Sequence, residues 1–166
     1  FRSPLKAVRA VLDAEGKPLE RYKLKINRAA DPAAVQALNA SLTQVVARGT
    51  GRVARTWLPP DLVVAGKTGT SDDLRDSWFA GFTNDHVTVV WVGADDNSPT
   101  GLTGASGALP VWARLVAYYG DAGYEPMPAE GLQDVSFDFA TGMMAEAGCG
   151  DPVTLPLPVG TVVPPN

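Results

Sequence analysis

The chain has 166 residues, 45% of them apolar, which is enough for one ordinary domain with a real core. Its formal charge of -4, from 14 basic and 18 acidic residues without a basic run, excludes the electrostatic footprint of a nucleic-acid binder. No uninterrupted apolar stretch approaches the ~20 residues of a membrane helix, and Cys149, the single cysteine, excludes a disulfide within the chain and any CxxC zinc or redox site. The lone histidine, His86, follows Asp85 with no second imidazole or thiol nearby, so a surface or turn-capping role is expected rather than a metal site. The chain opens at Phe1 without an initiator Met, and we expect a longer parent that carries targeting and anchoring elements.

In chain order, residues 7–12 and 19–26 are apolar or alternating, and DAEGKP between them supplies Asp, Gly and Pro for a hairpin loop. A helix follows. Asp31 stands at its N-cap, Pro32 at its first position, and Val35, Leu38, Leu42, Val45 and Val46 share a stripe at helical spacing until Gly49 ends it. After Pro59 and Pro60 come DLVVAGKTGT, SWFAGFT and HVTVVWVGA, three strands whose short connections predict an antiparallel meander. GLTGASGALPVWARLVAYY then reads as a Gly-rich loop and a second helix, with Val111, Leu115 and Tyr118 expected on one face with Trp112 and Tyr119. Beyond Gly120 lies half of the chain's 14 prolines and no helical stripe, so an extended tail or small appended lobe is expected, with DVSFDFA as a short strand. Together these elements make an α+β layer structure.

The chemistry is concentrated in GKTGT. On a strand, Thr68 and Thr70 share one face while Lys67 and Gly69 alternate with them. Two hydroxyls and an ammonium are thus brought close together beside a glycine that admits another backbone. That set suits an anionic peptide end: hydroxyls and ammonium receive a carboxylate, the strand backbone pairs with an extended chain, and a backbone N–H can serve an oxyanion hole. On the residues alone a second reading stands beside it, a glycine-interrupted strand end with exposed polar side chains. A phosphate loop is excluded, because G-x-x-x-x-G-K-[ST] needs Gly where Asp61 stands, and a strand follows where a helix should.

The run AGKTGTSDDLRDSWFAGFT, with VTVVWVGADDNSPTGLTGASGALPVWARLV after it and LTQVVARGTGRVA before it, resembles the C-terminal half of the transpeptidase domain of class A penicillin-binding proteins, type 1B. The resemblance spans about residues 1–119. It implies the penicillin-binding and serine β-lactamase-like fold, an antiparallel five-stranded sheet with flanking helices, of which this chain is the C-terminal portion only. Residues 1–120 would be the transpeptidase half and 121–166 the Pro-rich tail or lobe. By this resemblance, Lys67 is the catalytic cation beside the nucleophile, Thr68 and Thr70 bind the substrate or antibiotic carboxylate, Gly69 keeps the strand open to substrate, and the Thr70 N–H is half of the oxyanion hole. Trp78 and Phe79 are expected in the core, and Asp72, Asp73, Arg75 and Asp76 are expected to shape the turn beside the cleft, with a plain local salt bridge as the alternative reading of these four residues. No cofactor is implied, and ADDNSPT and GASGA receive no catalytic role.

This transpeptidation needs S-x-x-K and S-x-N as well as K-T-G. SPLK matches the first at Ser3 and Lys6, but it runs into a strand where a helix start is required. All seven Ser fail S-x-N. The expected partners are therefore the peptidoglycan stem peptide ending in D-Ala-D-Ala, β-lactams, and the remainder of a parent that carries the missing motifs. The resemblance places that parent, also a peptidoglycan glycosyltransferase, on the periplasmic side of the bacterial inner membrane. The competing expectations are a D,D-carboxypeptidase or β-lactamase relative, and a non-catalytic sensor module for cell-wall peptides or β-lactams.

Overall fold

A computed structural model describes residues 8, 10–22, 30–127, 129–145 and 150–165. Two short strands, β1 (Ala10–Leu12) and β2 (Pro18–Arg21), pair antiparallel. The Asp13 carboxylate accepts from the Lys17 N–H at 2.7 Å, which closes the loop the sequence marked with Asp, Gly and Pro. The outer parts of the expected hairpin, including residues 23–26, lie outside the described residues, as do Ser3, Lys6 and Cys149.

Helix α1 (Pro32–Ala47) starts where its cap predicts, the Asp31 carboxylate accepting from the Ala34 N–H at 2.9 Å. Its buried residues are Ala33, Gln36 and Val46, whereas Val35 and Leu38 of the expected stripe are exposed. Gln36 is satisfied on the buried side, its Oε1 accepting from the Tyr124 hydroxyl at 3.2 Å. Gly49 does follow the helix, but without positive φ: a Cβ there would lie 3.0 Å from the Val45 carbonyl oxygen, so close approach rather than a left-handed cap requires glycine.

The central sheet is the expected meander, β3 (Ala65–Thr70), β4 (Ser77–Phe82) and β5 (Val87–Val92), in the order β3-β4-β5. Among the described residues it has three strands rather than five, and β1–β2 stand apart as their own sheet. Helix α2 (Ala108–Tyr119) lies across one face. It buries Ala108, Leu109, Trp112, Ala113 and Val116, while Val111, Tyr118 and Tyr119 of the expected face are exposed. The helix is apolar nearly all round, and the face bearing two alanines allows the closer approach. Trp112 and Phe79 are fully buried with ring centroids 4.8 Å apart, the burial of Phe79 contributing about 1.5–3 kcal/mol. Gly66 and Gly81 make room for them: a Cβ would lie 2.6 Å from Phe79 Cζ at the first and 2.7 Å from Trp112 Cζ2 at the second. Strand alternation turns Trp78 the other way, so it is half-exposed beside Trp91 instead of in the core.

His86 occupies the β4–β5 turn. Its Nδ1 lies 2.9 Å from Asp121 Oδ1, and its backbone N–H donates to Thr83 Oγ1, whose hydroxyl donates to Asp121 Oδ2 at 2.8 Å. The Pro-rich segment contains β6 (Leu132–Asp138) and β7 (Pro152–Pro158), paired antiparallel. Pro152, Pro156 and Pro158 fall on alternate positions of one parity, so their missing N–H groups all lie on the side away from β6 and the ladder survives. Arg48, just past α1, pairs with Asp151 and donates to the Pro152 carbonyl, tying these strands to the helix. No helix among the described residues is long and apolar enough to cross a membrane.

Candidate active site

Lys67, Thr68, Gly69 and Thr70 all stand on β3, an edge of the central sheet. The Ser71 N–H donates to the Asp76 carbonyl, so the odd positions of β3 face β4. Thr68 and Thr70 accordingly turn their backbone N–H and C=O groups to the open edge. Lys67 bends over that edge: its Nζ donates to the Thr68 carbonyl at 2.9 Å and lies 3.4 Å from Thr68 Oγ1. The edge therefore offers a row of backbone groups to an extended chain, with an ammonium and a hydroxyl over them.

Two further residues complete the constellation, and neither was given a role from the sequence. Thr50, in the GTG run after α1, places its Oγ1 2.8 Å from Thr68 Oγ1. Gly104, in the GASGA run, donates its N–H to Thr70 Oγ1 at 2.9 Å. It approaches so closely that a Cβ would lie 2.6 Å from the Gly69 carbonyl oxygen. The signal was present in both runs as a polar residue or glycine beside other glycines, but only the chain fold brings them to β3. Accepting from Gly104 leaves the Thr70 hydroxyl proton free to point outward. The loop carrying Gly104 is held by Ser77, buried on β4, which donates to the Thr103 carbonyl and accepts from the Ala108 N–H, both at 2.8 Å.

The local salt bridge expected in the β3–β4 turn is present, but it is not what holds the turn. Arg75 does pair with Asp73 at 3.4 Å, but both are exposed and such a pair contributes little. The turn is held instead by Asp76, which accepts from the Trp91 indole N–H at 2.8 Å and from the Ser71 hydroxyl at 2.9 Å. The Leu74 carbonyl, on a residue at φ 55°, accepts from both the N–H and the hydroxyl of Thr100. The Trp91 indole, and after it Ser71, holds the Asp76 carboxyl below its ordinary 3.8. A depressed carboxyl contributes stability above its unfolded pKa and loses it as pH falls through the folded value. Trp91→Phe is expected to raise the Asp76 midpoint toward 3.8, read by NMR titration of its carboxyl carbon; an unchanged midpoint would mean the indole is not its main partner.

Penicillin-binding protein 1B of Vibrio cholerae is 38% identical to this chain over 156 residues, 94% of the chain and 20% of that protein. The chain is homologous to the C-terminal part of class A penicillin-binding proteins 1B and 1A. Penicillin-binding protein 1B of Escherichia coli K12 is 37% identical over 147 residues, 89% of the chain and 17% of that protein. No family model matches. The crystal structure of penicillin-binding protein 1A from Haemophilus influenzae superposes with a TM-score of 0.72 over 99% of the chain and 30% of its own, at 19% identity. That likeness shows the fold, an α+β arrangement with antiparallel sheets. The chain spans about a fifth of the length of the curated penicillin-binding proteins it matches.

Proposed function

We propose that this chain forms one wall of the active cleft in a peptidoglycan D,D-transpeptidase. The observation that carries this reading is the open edge of β3, where Lys67 and Thr68 meet and the Thr70 N–H faces outward, in a chain homologous to class A penicillin-binding proteins. Thr68 and Thr70 bind the terminal carboxylate of a stem peptide or the carboxylate of a β-lactam through their hydroxyls. Gly69 keeps the strand surface open to the substrate backbone. The Thr70 N–H donates to the developing oxyanion, and Lys67 supplies the cation beside the nucleophile.

The nucleophilic Ser belongs to the remainder of the parent, with S-x-x-K and S-x-N. Its oxygen bonds to the carbonyl carbon of the penultimate D-Ala, the C–N bond breaks, and the terminal D-Ala leaves with a proton on its amine. The amine of a neighbouring stem peptide then attacks the ester, forms the cross-link and returns the proton to Ser. Penicillin acylates the same Ser. In this reading the parent is also a peptidoglycan glycosyltransferase, held by an N-terminal anchor on the periplasmic side of the inner membrane. Residues 1–120 belong to the transpeptidase domain and 121–166 to an appended lobe.

The test is intact-mass analysis after incubation with a labelled penicillin. The full-length parent is expected to gain one label on a Ser outside this chain, and the isolated chain none. Label on the isolated chain, or an unlabelled parent, would overturn the reading.

A further inference from the structure

We infer that Thr50 is a positioning residue that fixes the proton direction of the Thr68 hydroxyl, so that Thr68 donates to the carboxylate of the bound ligand. The inference rests on the transpeptidase reading of the β3 edge.

The geometry begins with the end of α1. The N–H groups of Arg48 and Gly49 both donate to the Gln44 carbonyl, at 2.8 and 3.1 Å, and Gly51 donates to the Val45 carbonyl at 2.9 Å. This folds the chain back against the last helical turn. Only glycine fits there without displacing its neighbours: a Cβ at either Gly49 or Gly51 would lie 3.0 Å from the Val45 carbonyl oxygen. Thr50, between them, is carried out onto β3. The Arg48 links to Asp151 and to the Pro152 carbonyl pin the start of the same turn. The Thr50 hydroxyl is thus delivered to Thr68 by a turn fixed at both ends.

Hydrogen-bond bookkeeping then assigns the direction. In the pair of hydroxyls 2.8 Å apart, one donates and the other accepts. A carboxylate only accepts, and the Lys67 ammonium only donates. If Thr68 gave its proton to Thr50, it would have none for a carboxylate and would turn lone pairs toward it. With Thr50 as donor, and Lys67 Nζ 3.4 Å away on the same oxygen, the lone pairs of Thr68 Oγ1 are occupied and its single proton points to the ligand. Donation into Thr68 also polarises its O–H, which strengthens the bond to the anion.

The experiment compares the full-length parent carrying wild-type, Thr50→Val or Thr50→Ser sequence. Second-order acylation constants are measured with benzylpenicillin and with its methyl ester, which lacks the anion. Thr50→Val keeps the side-chain shape without the donor. It is expected to lower acylation by the acid about three- to fivefold, because Thr68 keeps its proton but loses the donor that directs and polarises it, and to leave acylation by the ester within about twofold. Thr50→Ser restores the donor and the preference for the acid. Equal losses on both probes would show a merely structural role and overturn the inference, as would a Thr50→Val protein acylated by the acid at the wild-type rate. A wild-type parent that penicillin does not acylate would instead bring down the transpeptidase reading itself.

Discussion

Gly104→Ala is expected to cost about 2–4 kcal/mol of stability, the sum of overpacking and a lost hydrogen bond, and to detach the loop before α2 from the end of β3. The added Cβ would lie 2.5 Å from the Trp78 carbonyl oxygen, 2.6 Å from the Gly69 carbonyl oxygen and 2.9 Å from the Gly69 nitrogen. All of these are backbone atoms in a paired ladder, so no side-chain rotation relieves the contact. The loop must move, and the bond from the position-104 N–H to Thr70 Oγ1 goes with it. Urea denaturation reads the stability, and hydrogen exchange at the position-104 amide reads the detachment. If that amide is as protected in the variant as it is in the wild type, the approach is looser than the distances imply.

Lys67→Ala, in the full-length parent, is expected to lower acylation by penicillin about 10²–10⁴-fold, the range that a positioned proton-transfer group supplies. Nothing among the described residues neutralises this ammonium. Its bonds run to the Thr68 carbonyl and hydroxyl, so the charge is held over the open edge rather than in an ion pair. Removing it takes the cation from the cleft without leaving a buried partner unpaired, so stability should change little. Stopped-flow acylation separates this loss from weaker binding. If saturation moves to higher penicillin concentration while the maximal rate stays, Lys67 serves binding alone.

Much of the scaffold was legible because its signals are local. The Asp31–Pro32 pair fixes where α1 begins, and the spacing of turns between apolar runs gives the β3-β4-β5 meander. The orientation of the helices was not. α2 is apolar on both sides, and periodicity cannot tell that Ala108 and Ala113 face the sheet while Val111 and Tyr118 face outward. In α1 the same ambiguity put Val35 and Leu38 on the wrong side. At the candidate site, Lys67 to Thr70 were found because they are consecutive, whereas Thr50 and Gly104 reach β3 only through tertiary folding, across 18 and 34 positions of sequence. Asp76 is visible in the sequence only as one of four charged residues in a turn. Its indole partner lies on β5, 15 residues away.

The prolines of β7 have a consequence for the behaviour of the molecule in crowded solution. A strand edge aggregates by offering alternating donors and acceptors to another chain. On the side of β7 away from β6, three of the four alternate positions from 152 to 158 lack a donor and the Pro152 carbonyl already accepts from Arg48, so an incoming strand would find a few carbonyls with almost no N–H groups between them. The composition that makes this segment look structureless therefore keeps a small, two-stranded sheet from recruiting others, and each proline replaced by a residue with an amide would return one rung to a template for fibril growth.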